Sequence, residues 1–400
     1  MKIAYVNATM TVGQDGVTRC VYRMIDAAVA HGHDVIALTS AVPEGEPPVP
    51  MFSVPSFAIP MHKAYRMAYP GTQSVARHLD VIRPDIIHVN SPCTLGYAAM
   101  RYAKESHIPV VATYHTHFPT YPRYYGLGGF EELAWTLTRR YYKGIDRTFV
   151  PARPILEELR EHGLNRLQYI PNGVDNALFN PTRRSRAWRS QFGDDDRPIV
   201  LFVSRLVWEK DLRVLSDAYR LLVEGGSTFH MVIVGDGHAR EELRHLMPGA
   251  HFLGYQSGIA LAEAYASSDI FVFPSTTETF GLVTLEAMAS GIAPVAAAIG
   301  GAVELITDGV TGLFAAPFSP GELAEGVRRL LDDPVMRRTI SSTAATHAAT
   351  YAWDRVLLRM FDAYVDVIDT FAATRAHAAH ASRRGKLLPR MARASSAGRD

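Results

Sequence analysis

Two glutamates, Glu278 and Glu286, lie on either side of a predicted helix start and are separated by seven residues. Residues 271–273 are typical of a buried strand, and the helix after the polar loop is predicted to end at Gly291. The free N–H groups and positive dipole end of a helix start favour a phosphate. The residues at this start are Phe280, Gly281, Leu282 and Val283. Carboxylates beside a phosphate are expected to accept hydrogen bonds from neighbouring hydroxyl groups, so the pattern predicts a nucleotide-sugar site.

A second group suited to this chemistry is the pair Arg205 and Lys210, which follows a predicted strand in the string SRLVWEK. Positive charges at the carboxyl end of a strand can neutralise a leaving diphosphate, since Arg grips two oxygens and Lys acts as a point charge. The D-x-D pattern at Asp194 and Asp196 is one that can hold a metal ion. It falls in a polar turn before a strand, so we expect a solvated loop and a site without metal.

Two histidines, His115 and His117, end another predicted strand. A zinc site would need further ligands of suitable geometry, and the nearby sequence supplies none. His115 is therefore expected to face a ligand cleft, with a packed histidine as the alternative.

The E-x7-E string has F-G after its first glutamate and E-A-M-A-S-G at its second, and it resembles the retaining nucleotide-sugar glycosyltransferases of family 4. The strings SRLVWEK and PNGVD fit the same family. The resemblance implies that Arg205 and Lys210 bind the donor diphosphate, that Glu278 holds sugar hydroxyls and that Glu286 holds the ribose. It implies further cleft or donor contacts from His115, Gly16, Gly235, Tyr255 and the helix start at Phe280, Gly281, Leu282 and Val283.

Predicted strands and helices alternate from Lys2 onwards, which indicates an α/β chain whose ligands lie at the carboxyl ends of parallel strands. A length of 400 residues predicts two domains. The resemblance implies the GT-B architecture, in which two Rossmann-like domains face each other across a cleft. We expect an acceptor-binding domain over 1–180, a nucleotide-sugar-binding domain over 181–352, a helix over 353–372 that packs back on the first domain, and a disordered basic tail over 373–400.

Composition is that of an ordinary globular protein, with 48% hydrophobic and 20% charged residues and a net charge of +1. Cys20 and Cys93 lack the spacing of metal ligands and fit a reducing compartment. Neither a secretory signal nor a transmembrane run is visible, so a cytoplasmic location is expected, with contact to the inner face of the membrane as an option. Nucleic acid is not expected as a partner.

The strings YHTHFPTYPRYYGLG and SRLVWEK look most like bacterial mannosyltransferases that use GDP-mannose on lipid acceptors, and like sulfoquinovosyl transferases that use a UDP-sugar. The resemblance implies a hexosyltransferase that moves a hexose, with mannose favoured, to a lipid or glycan acceptor without a cofactor. The alternative is a UDP-sugar-dependent glycolipid transferase of glucosyl, glucuronosyl or sulfoquinovosyl type. A non-catalytic sugar-nucleotide-binding protein, from a different class, would have little need of Arg205 and Lys210.

Two tyrosine-rich stretches, Tyr65 to Tyr69 and Tyr121 to Tyr125, are candidates for resting on a bilayer. The tail adds six arginines and Lys386, each drawn to anionic lipid by about 1 kcal/mol near the surface. A solvated tail and sugar-stacking tyrosines are the alternative.

Overall fold

The computed structural model describes residues 1–10, 16–43, 45–59, 62–69, 71–124, 126–193 and 195–394, with side chains throughout except at 59, 62–65 and 378–394. Two fully parallel sheets, one in each half of the described chain, form the centre of the molecule. The second half of the chain returns to the first through its last helix.

The first sheet has seven strands in the order β3-β2-β1-β6-β7-β8-β9, and a separate antiparallel pair is formed by β4 and β5. The strands are β1 (Lys2–Val6), β2 (Asp34–Thr39), β3 (Met51–Ser53), β4 (Ser56–Ile59), β5 (His62–Ala68), β6 (Ile86–Val89), β7 (Val110–Thr113), β8 (Arg147–Val150) and β9 (Leu167–Tyr169). The helices are α1 (Gly16–Ala30), α2 (Thr72–Ile82), α3 (Thr94–Ser106), α4 (Tyr121–Tyr124), α5 (Glu131–Tyr142) and α6 (Arg153–Glu161). Two 3-10 helices, Phe118–Thr120 and Gly128–Phe130, flank α4.

The second sheet has six strands in the order β12-β11-β10-β13-β14-β15. They are β10 (Ile199–Val203), β11 (His230–Val234), β12 (His251–Gly254), β13 (Ile270–Phe273), β14 (Ala293–Ala297) and β15 (Leu313–Ala315). The helices are α7 (Arg186–Arg189), α8 (Leu212–Glu224), α9 (Arg240–Leu246), α10 (Gly258–Ser267), α11 (Leu282–Ala289), α12 (Ala302–Leu305), α13 (Pro320–Asp332), α14 (Pro334–Ala348) and α15 (Trp353–Ala394). Three 3-10 helices complete this half, at Pro181–Arg183, Trp208–Lys210 and Ala349–Tyr351.

The apolar runs of the central strands explain why these segments form sheets. All five residues of β10 and all four of β13 are buried, as expected where helices cover both faces of a parallel sheet. In such a sheet the loops after the strands meet at one edge. The residues after β10, β11, β12 and β13 therefore lie side by side, and those after β1, β6 and β7 do so in the other domain.

The last helix, α15, returns to the first domain. Tyr364 is fully buried, and its hydroxyl lies 2.5 Å from His88 Nδ1 on β6. The other ring nitrogen of His88 lies 2.8 Å from the hydroxyl of Thr113 on β7. Because these groups satisfy one another inside an apolar cluster, α15 is fixed to the first sheet rather than to its own domain.

In the structure α15 runs past the expected end at residue 372 and continues to Ala394. Residues 373–394 contain seven Ala and five Arg residues, which favour helix even where no apolar stripe is present. Disorder was expected for this segment on the missing stripe alone. Residues 395–400 lie outside the described part of the chain. Among the helices that the structure describes, none is both long and apolar enough to cross a membrane.

Candidate active site

The start of α11 presents backbone N–H groups that no side chain caps. Gly281 has φ +89°, a left-handed conformation that favours glycine, and no side chain caps the helix. The Phe280 ring is buried, so this residue offers its backbone rather than its side chain to a ligand. No side-chain cap therefore competes with an anion for the first-turn N–H groups, and anion binding there stays a prediction.

Two adjacent glycines after β14 support the loop that leads into α11. The N–H of Gly301 donates to the carbonyl oxygen of Glu278 at 3.0 Å. A Cβ on Gly301 would collide with the backbone of Phe280, and one on Gly300 with the carbonyl oxygen of Glu278. Only glycine allows this approach, so the pair sets the position of Glu278 and Phe280.

Lys210 and Glu278 form an ion pair at the mouth of this loop. Lys210 Nζ also lies 3.4 Å from the hydroxyl of Thr277, and the two charged side chains are 11% and 20% exposed. Thr277 in turn donates to the carbonyl oxygen of Glu209 at 3.0 Å. The turn after β10 and the loop after β13 are thereby locked together, with a cation and a carboxylate side by side.

Arg205 lies on the same turn, with its side chain 43% exposed and Nη2 3.8 Å from Glu209 Oε1. A Cβ on Gly235 would collide with the carbonyl oxygen of Ser204. The glycine after β11 is therefore needed for the close approach of two turns, one of which carries Arg205. A nucleoside contact by Gly235 stays a prediction.

Tyrosines of the first domain reach across the cleft to this region. The Tyr121 hydroxyl hydrogen-bonds Arg205, and burial raises its pKa to about 12 although Arg205 opposes the shift. The Tyr124 hydroxyl hydrogen-bonds that of Thr276. These two side chains line the cleft, so the idea that Tyr121 to Tyr125 rests on a bilayer is wrong for both of them. Tyr125 lies outside the described residues, as does the side chain of Tyr65.

Glu286 lies inside α11 and is 7% exposed. Its Oε1 accepts from Arg19 Nη1 at 2.7 Å, and its Oε2 accepts from the Tyr265 hydroxyl at 3.2 Å. Burial raises the pKa of Glu286, and the charge of Arg19 opposes that shift. Arg19 belongs to α1 of the first domain, and sequence reasoning missed it because no local pattern joins it to a residue so far along the chain.

His115 follows β7 and is placed by contacts on both sides of the cleft. Its Nε2 lies 3.2 Å from Asn90 Oδ1, and its carbonyl oxygen accepts from the Thr279 hydroxyl at 2.8 Å. Burial lowers the pKa of His115 to about 3, so the ring is neutral at physiological pH. The loop that carries Glu278 and the residue expected in the cleft are therefore in direct contact.

His117 turns away from this point, and its ring lies 3.1 Å from both Glu158 Oε1 and the Tyr114 hydroxyl. Within the ranges that the structure describes, no group of three or more His, Cys, Asp or Glu side chains is arranged to hold a metal ion. Asp194 of the D-x-D pattern lies outside those ranges. Asp195 pairs with Arg197, which fits the expected solvated loop.

The other predicted donor residues lie around the same cleft. Gly16 begins α1, and a Cβ on it would be 3.3 Å from the side chain of Leu282, so the starts of α1 and α11 face each other closely. Tyr255 follows β12 and is 53% exposed at the outer end of the row of strand ends. Base contacts by Tyr255 stay a prediction.

Comparison with known proteins gives two matching family models. Residues 14–178 match the model described as Glycosyltransferase Family 4, and residues 185–347 match Glycosyl transferases group 1. The first match contains Arg19, and the second contains the turn with Arg205.

Curated relatives cover most of the chain. A GDP-mannose-dependent alpha-mannosyltransferase of Mycolicibacterium smegmatis is 35% identical over 323 residues, which are 78% of this chain and 84% of that protein. One of Corynebacterium glutamicum is 31% identical over 375 residues, 92% of this chain and 89% of that protein. Sulfoquinovosyl transferase SQD2 of Arabidopsis thaliana is 34% identical over 334 residues, 80% of this chain and 65% of that protein.

Solved structures agree in fold. Sucrose-phosphate synthase from Thermosynechococcus elongatus has a TM-score of 0.78 at 21% identity, covering 92% of this chain and all of that chain. HepE of Anabaena in complex with UDP has a TM-score of 0.73 at 20% identity over the same shares. At these identities the likeness shows the fold alone, and the expected GT-B architecture of two Rossmann-like domains is confirmed.

Proposed function

This chain belongs to the family 4 glycosyltransferases, and we propose that it transfers mannose from GDP-mannose to a lipid acceptor with retention of anomeric configuration. That it is a hexosyltransferase using a nucleotide-sugar donor follows from the family and from the relatives. The preference for mannose is supported by two GDP-mannose-dependent relatives that match 78% and 92% of the chain. The observation that carries the proposal is the meeting of Lys210, Glu278 and the open start of α11 in one cleft.

The donor diphosphate would lie between the start of α11 and the turn after β10. There, Arg205 and Lys210 would meet the negative charge that grows as the bond from the sugar to the diphosphate breaks. Lys210 already has a carboxylate neighbour in Glu278, whose oxygens would hold hydroxyls of the sugar. The sugar is then placed between its leaving group and the first domain.

The acceptor hydroxyl would attack from the face that the leaving diphosphate occupies, and its proton would pass to the departing phosphate oxygen. This route needs no enzyme base, which fits a neutral His115 whose Nε2 is already held by Asn90. His115 would then orient a hydroxyl as a neutral hydrogen-bonding group. Retention of configuration is the stereochemical result of attack on the same face.

Donor choice is tested by calorimetric titration of GDP, UDP and ADP in the presence of EDTA, followed by the corresponding sugars. GDP is expected to bind at least tenfold more tightly than UDP, and acceptor-dependent GDP release should follow from GDP-mannose. Nuclear magnetic resonance of the product should show an α-linked mannose. Preference for UDP would favour the glucosyl, glucuronosyl or sulfoquinovosyl alternative, and binding without acceptor-dependent release would favour a non-catalytic binding protein.

A lipid acceptor is favoured by an exposed apolar stripe beside the cleft. Its members are Leu127, Phe130, Leu133 and Leu137, each between 53% and 56% exposed. Phe130, Leu133 and Leu137 follow the spacing of one helix face, and exposed Arg140 continues that face. The stripe starts close to α4, whose Tyr121 and Tyr124 line the cleft. An apolar face with a basic end suits an anionic bilayer from which a lipid acceptor could be drawn.

This contact is tested by co-sedimentation with vesicles of phosphatidylcholine and phosphatidylglycerol. Replacing Leu133 and Leu137 by Gln should weaken binding about tenfold or more, since each leucine is worth on the order of 1 kcal/mol when it enters the bilayer. Val335→Gln removes a still more exposed apolar group, 64% exposed on α14 of the other domain, and should leave vesicle binding unchanged. Equal binding of all three proteins would remove the stripe as a membrane contact.

A further inference from the structure

Arg19 of the first domain forms an ion pair with Glu286, the second glutamate of the candidate donor site. Arg19 lies in the first turn of α1, and its Nη1 is 2.7 Å from Glu286 Oε1 on α11. The two side chains are 41% and 7% exposed, so the carboxylate is buried while the guanidinium still reaches solvent. The other recorded partner of Glu286 among the described residues is the Tyr265 hydroxyl on α10.

The charge of Arg19 affects the protonation state of Glu286. A carboxyl that is buried without a cation tends to become neutral, and burial does raise the pKa of Glu286. Arg19 is the first influence that opposes the shift, and the Tyr265 hydroxyl is the next. Conversely, the charge of Glu286 raises the pKa of Arg19. A cation of the first domain therefore favours the ionised form of a buried carboxyl in the second domain.

Glu286 in its ionised form has more hydrogen-bond acceptor sites than Arg19 and Tyr265 use. An ionised carboxylate has about four lone-pair sites, of which Arg19 and Tyr265 use one each. Acceptor sites for two vicinal hydroxyls therefore remain while Arg19 stays in place. A protonated Glu286 would offer fewer acceptor sites and a weaker bond to each hydroxyl.

Arg19 can reach Glu286 because the start of α1 lies close to the start of α11. A Cβ on Gly16 would lie 3.3 Å from Leu282 Cδ1, so the two helix starts are close enough that a side chain at position 16 would crowd Leu282. Leu282 opens α11, four residues before Glu286 and on the same side of the helix. The contact that brings the helices together thus also places the guanidinium on the carboxylate.

We propose that Arg19 is a positioning residue for the nucleotide-sugar donor, which acts from the opposite domain by keeping Glu286 ionised and oriented toward the ribose hydroxyls. This inference rests on the proposed role of Glu286 as the ribose ligand. It makes donor recognition by the second domain depend on the position of the first, because Glu286 and the cation paired with it belong to different domains. Arg19 does not touch the reacting atoms and acts through Glu286.

The test compares the donor KM and kcat of Arg19→Gln, Arg19→Lys, Glu286→Gln and the double variant Arg19→Gln/Glu286→Gln between pH 5.5 and 8.5. Arg19→Gln should raise the donor KM about tenfold or more, with kcat within about threefold, since hydrogen bonds to an ionised group are the stronger ones. The effect should grow as the pH falls, because the pKa of Glu286 without Arg19 is higher and its carboxylate is lost first at low pH. Arg19→Lys should restore most of the affinity.

Arg23→Gln is the matched control. Arg23 lies one turn further along α1, is 43% exposed and pairs with Asp175 at 2.5 Å, so its loss also removes an ion pair of α1. It should leave the donor KM and its pH profile unchanged. Melting temperatures of all variants would show whether each protein is folded under the assay conditions.

The possible results separate the two claims. If Glu286→Gln leaves the donor KM unchanged, Glu286 is not the ribose ligand and the proposed placement of the donor fails. If Glu286→Gln raises KM while Arg19→Gln behaves like Arg23→Gln at every pH, the donor placement stands and the role of Arg19 is wrong. The expected result is that the double variant is no worse than Glu286→Gln, since Arg19 acts only through that carboxylate.

Discussion

Replacing Gly301 by Ala should displace the loop that carries Glu278, although Gly301 itself is not expected to contact the donor. Gly301 has φ −65°, so alanine is allowed by the backbone at this position. Its Cβ would instead overlap the Cα, the carbonyl carbon and the carbonyl oxygen of Phe280. Carbon atoms need about 3.5 Å between them, so the loop has to retreat by about 1 Å. That loop carries both Glu278 and the N–H groups that lead into α11.

The size of the loss follows from this displacement. A shift of about 1 Å in groups that position a substrate costs on the order of a hundredfold in rate. Overpacking of this kind also costs about 1–3 kcal/mol in the free energy of unfolding. We therefore expect kcat/KM for the nucleotide-sugar to fall about a hundredfold, together with weaker nucleotide binding and a melting temperature lowered by a few degrees.

The assay is acceptor-dependent nucleotide release, run well below the melting temperature of each variant, with calorimetric titration of the nucleotide alongside it. Gly321→Ala is the control, because a Cβ at this exposed helix start would meet no atom within 4 Å. It should keep full activity and equal or slightly higher stability. A folded Gly301→Ala enzyme with wild-type kcat/KM and nucleotide affinity would refute the idea that the glycine pair positions the donor loop.

Three further changes have definite expected outcomes. Lys210→Met should lower kcat about a hundredfold to a thousandfold, as removal of a charge-stabilising group at a reacting centre does, whereas nucleotide release that continues at the wild-type rate would exclude Lys210 from leaving-group stabilisation. Tyr364→Phe should reduce the free energy of unfolding by about 1–3 kcal/mol because buried His88 loses a partner, and an unchanged denaturant midpoint would contradict the anchoring of α15. The native pKa of His115, about 3, lies below that of an unfolded histidine, so stability is full above pH 6.5 and is lost as the pH falls toward 3. His115→Gln should therefore remove about 1.4 kcal/mol per pH unit from the pH dependence of the free energy of unfolding between pH 6 and 4. A variant whose free energy of unfolding changes with pH as steeply as that of the wild type would contradict a neutral His115.

Many groups of the candidate donor site could be proposed from the sequence because they lie close together along the chain. Glu278, Gly281 and Glu286 lie within one strand, loop and helix, and Arg205 and Lys210 lie on one turn. Each such unit has a fixed internal geometry, so residue types and spacing predict which groups share a surface. The structure brings Lys210 onto Glu278, as expected of two units that follow neighbouring strands.

Contacts between distant units were not readable in this way. Arg19 meets Glu286 only because two helix starts approach across the cleft, which depends on how the domains pack. Tyr121 and Tyr124 were considered for the membrane because aromatic and basic residues suit an interface, yet both point into the cleft. The length of α15 was missed for another reason, since helix propensity outweighed the missing apolar stripe.

Glu304 illustrates the same limit. It lies in the first turn of α12. The structure adds that its oxygens accept from the Arg153 N–H at 2.9 Å and from the Tyr169 hydroxyl at 2.6 Å, both in the first domain. A residue that is local by sequence is here part of the contact between domains.

The most direct measurement is transfer of labelled mannose from GDP-mannose to a lipid acceptor in the presence of EDTA, for the wild type, Lys210→Met and Glu286→Gln. We expect the wild type to form an α-mannosyl product without metal, Lys210→Met to lose kcat, and Glu286→Gln to lose donor affinity. Equal transfer by all three proteins would contradict the placement of the donor at the start of α11. A product of inverted configuration would contradict attack from the face that the leaving diphosphate occupies.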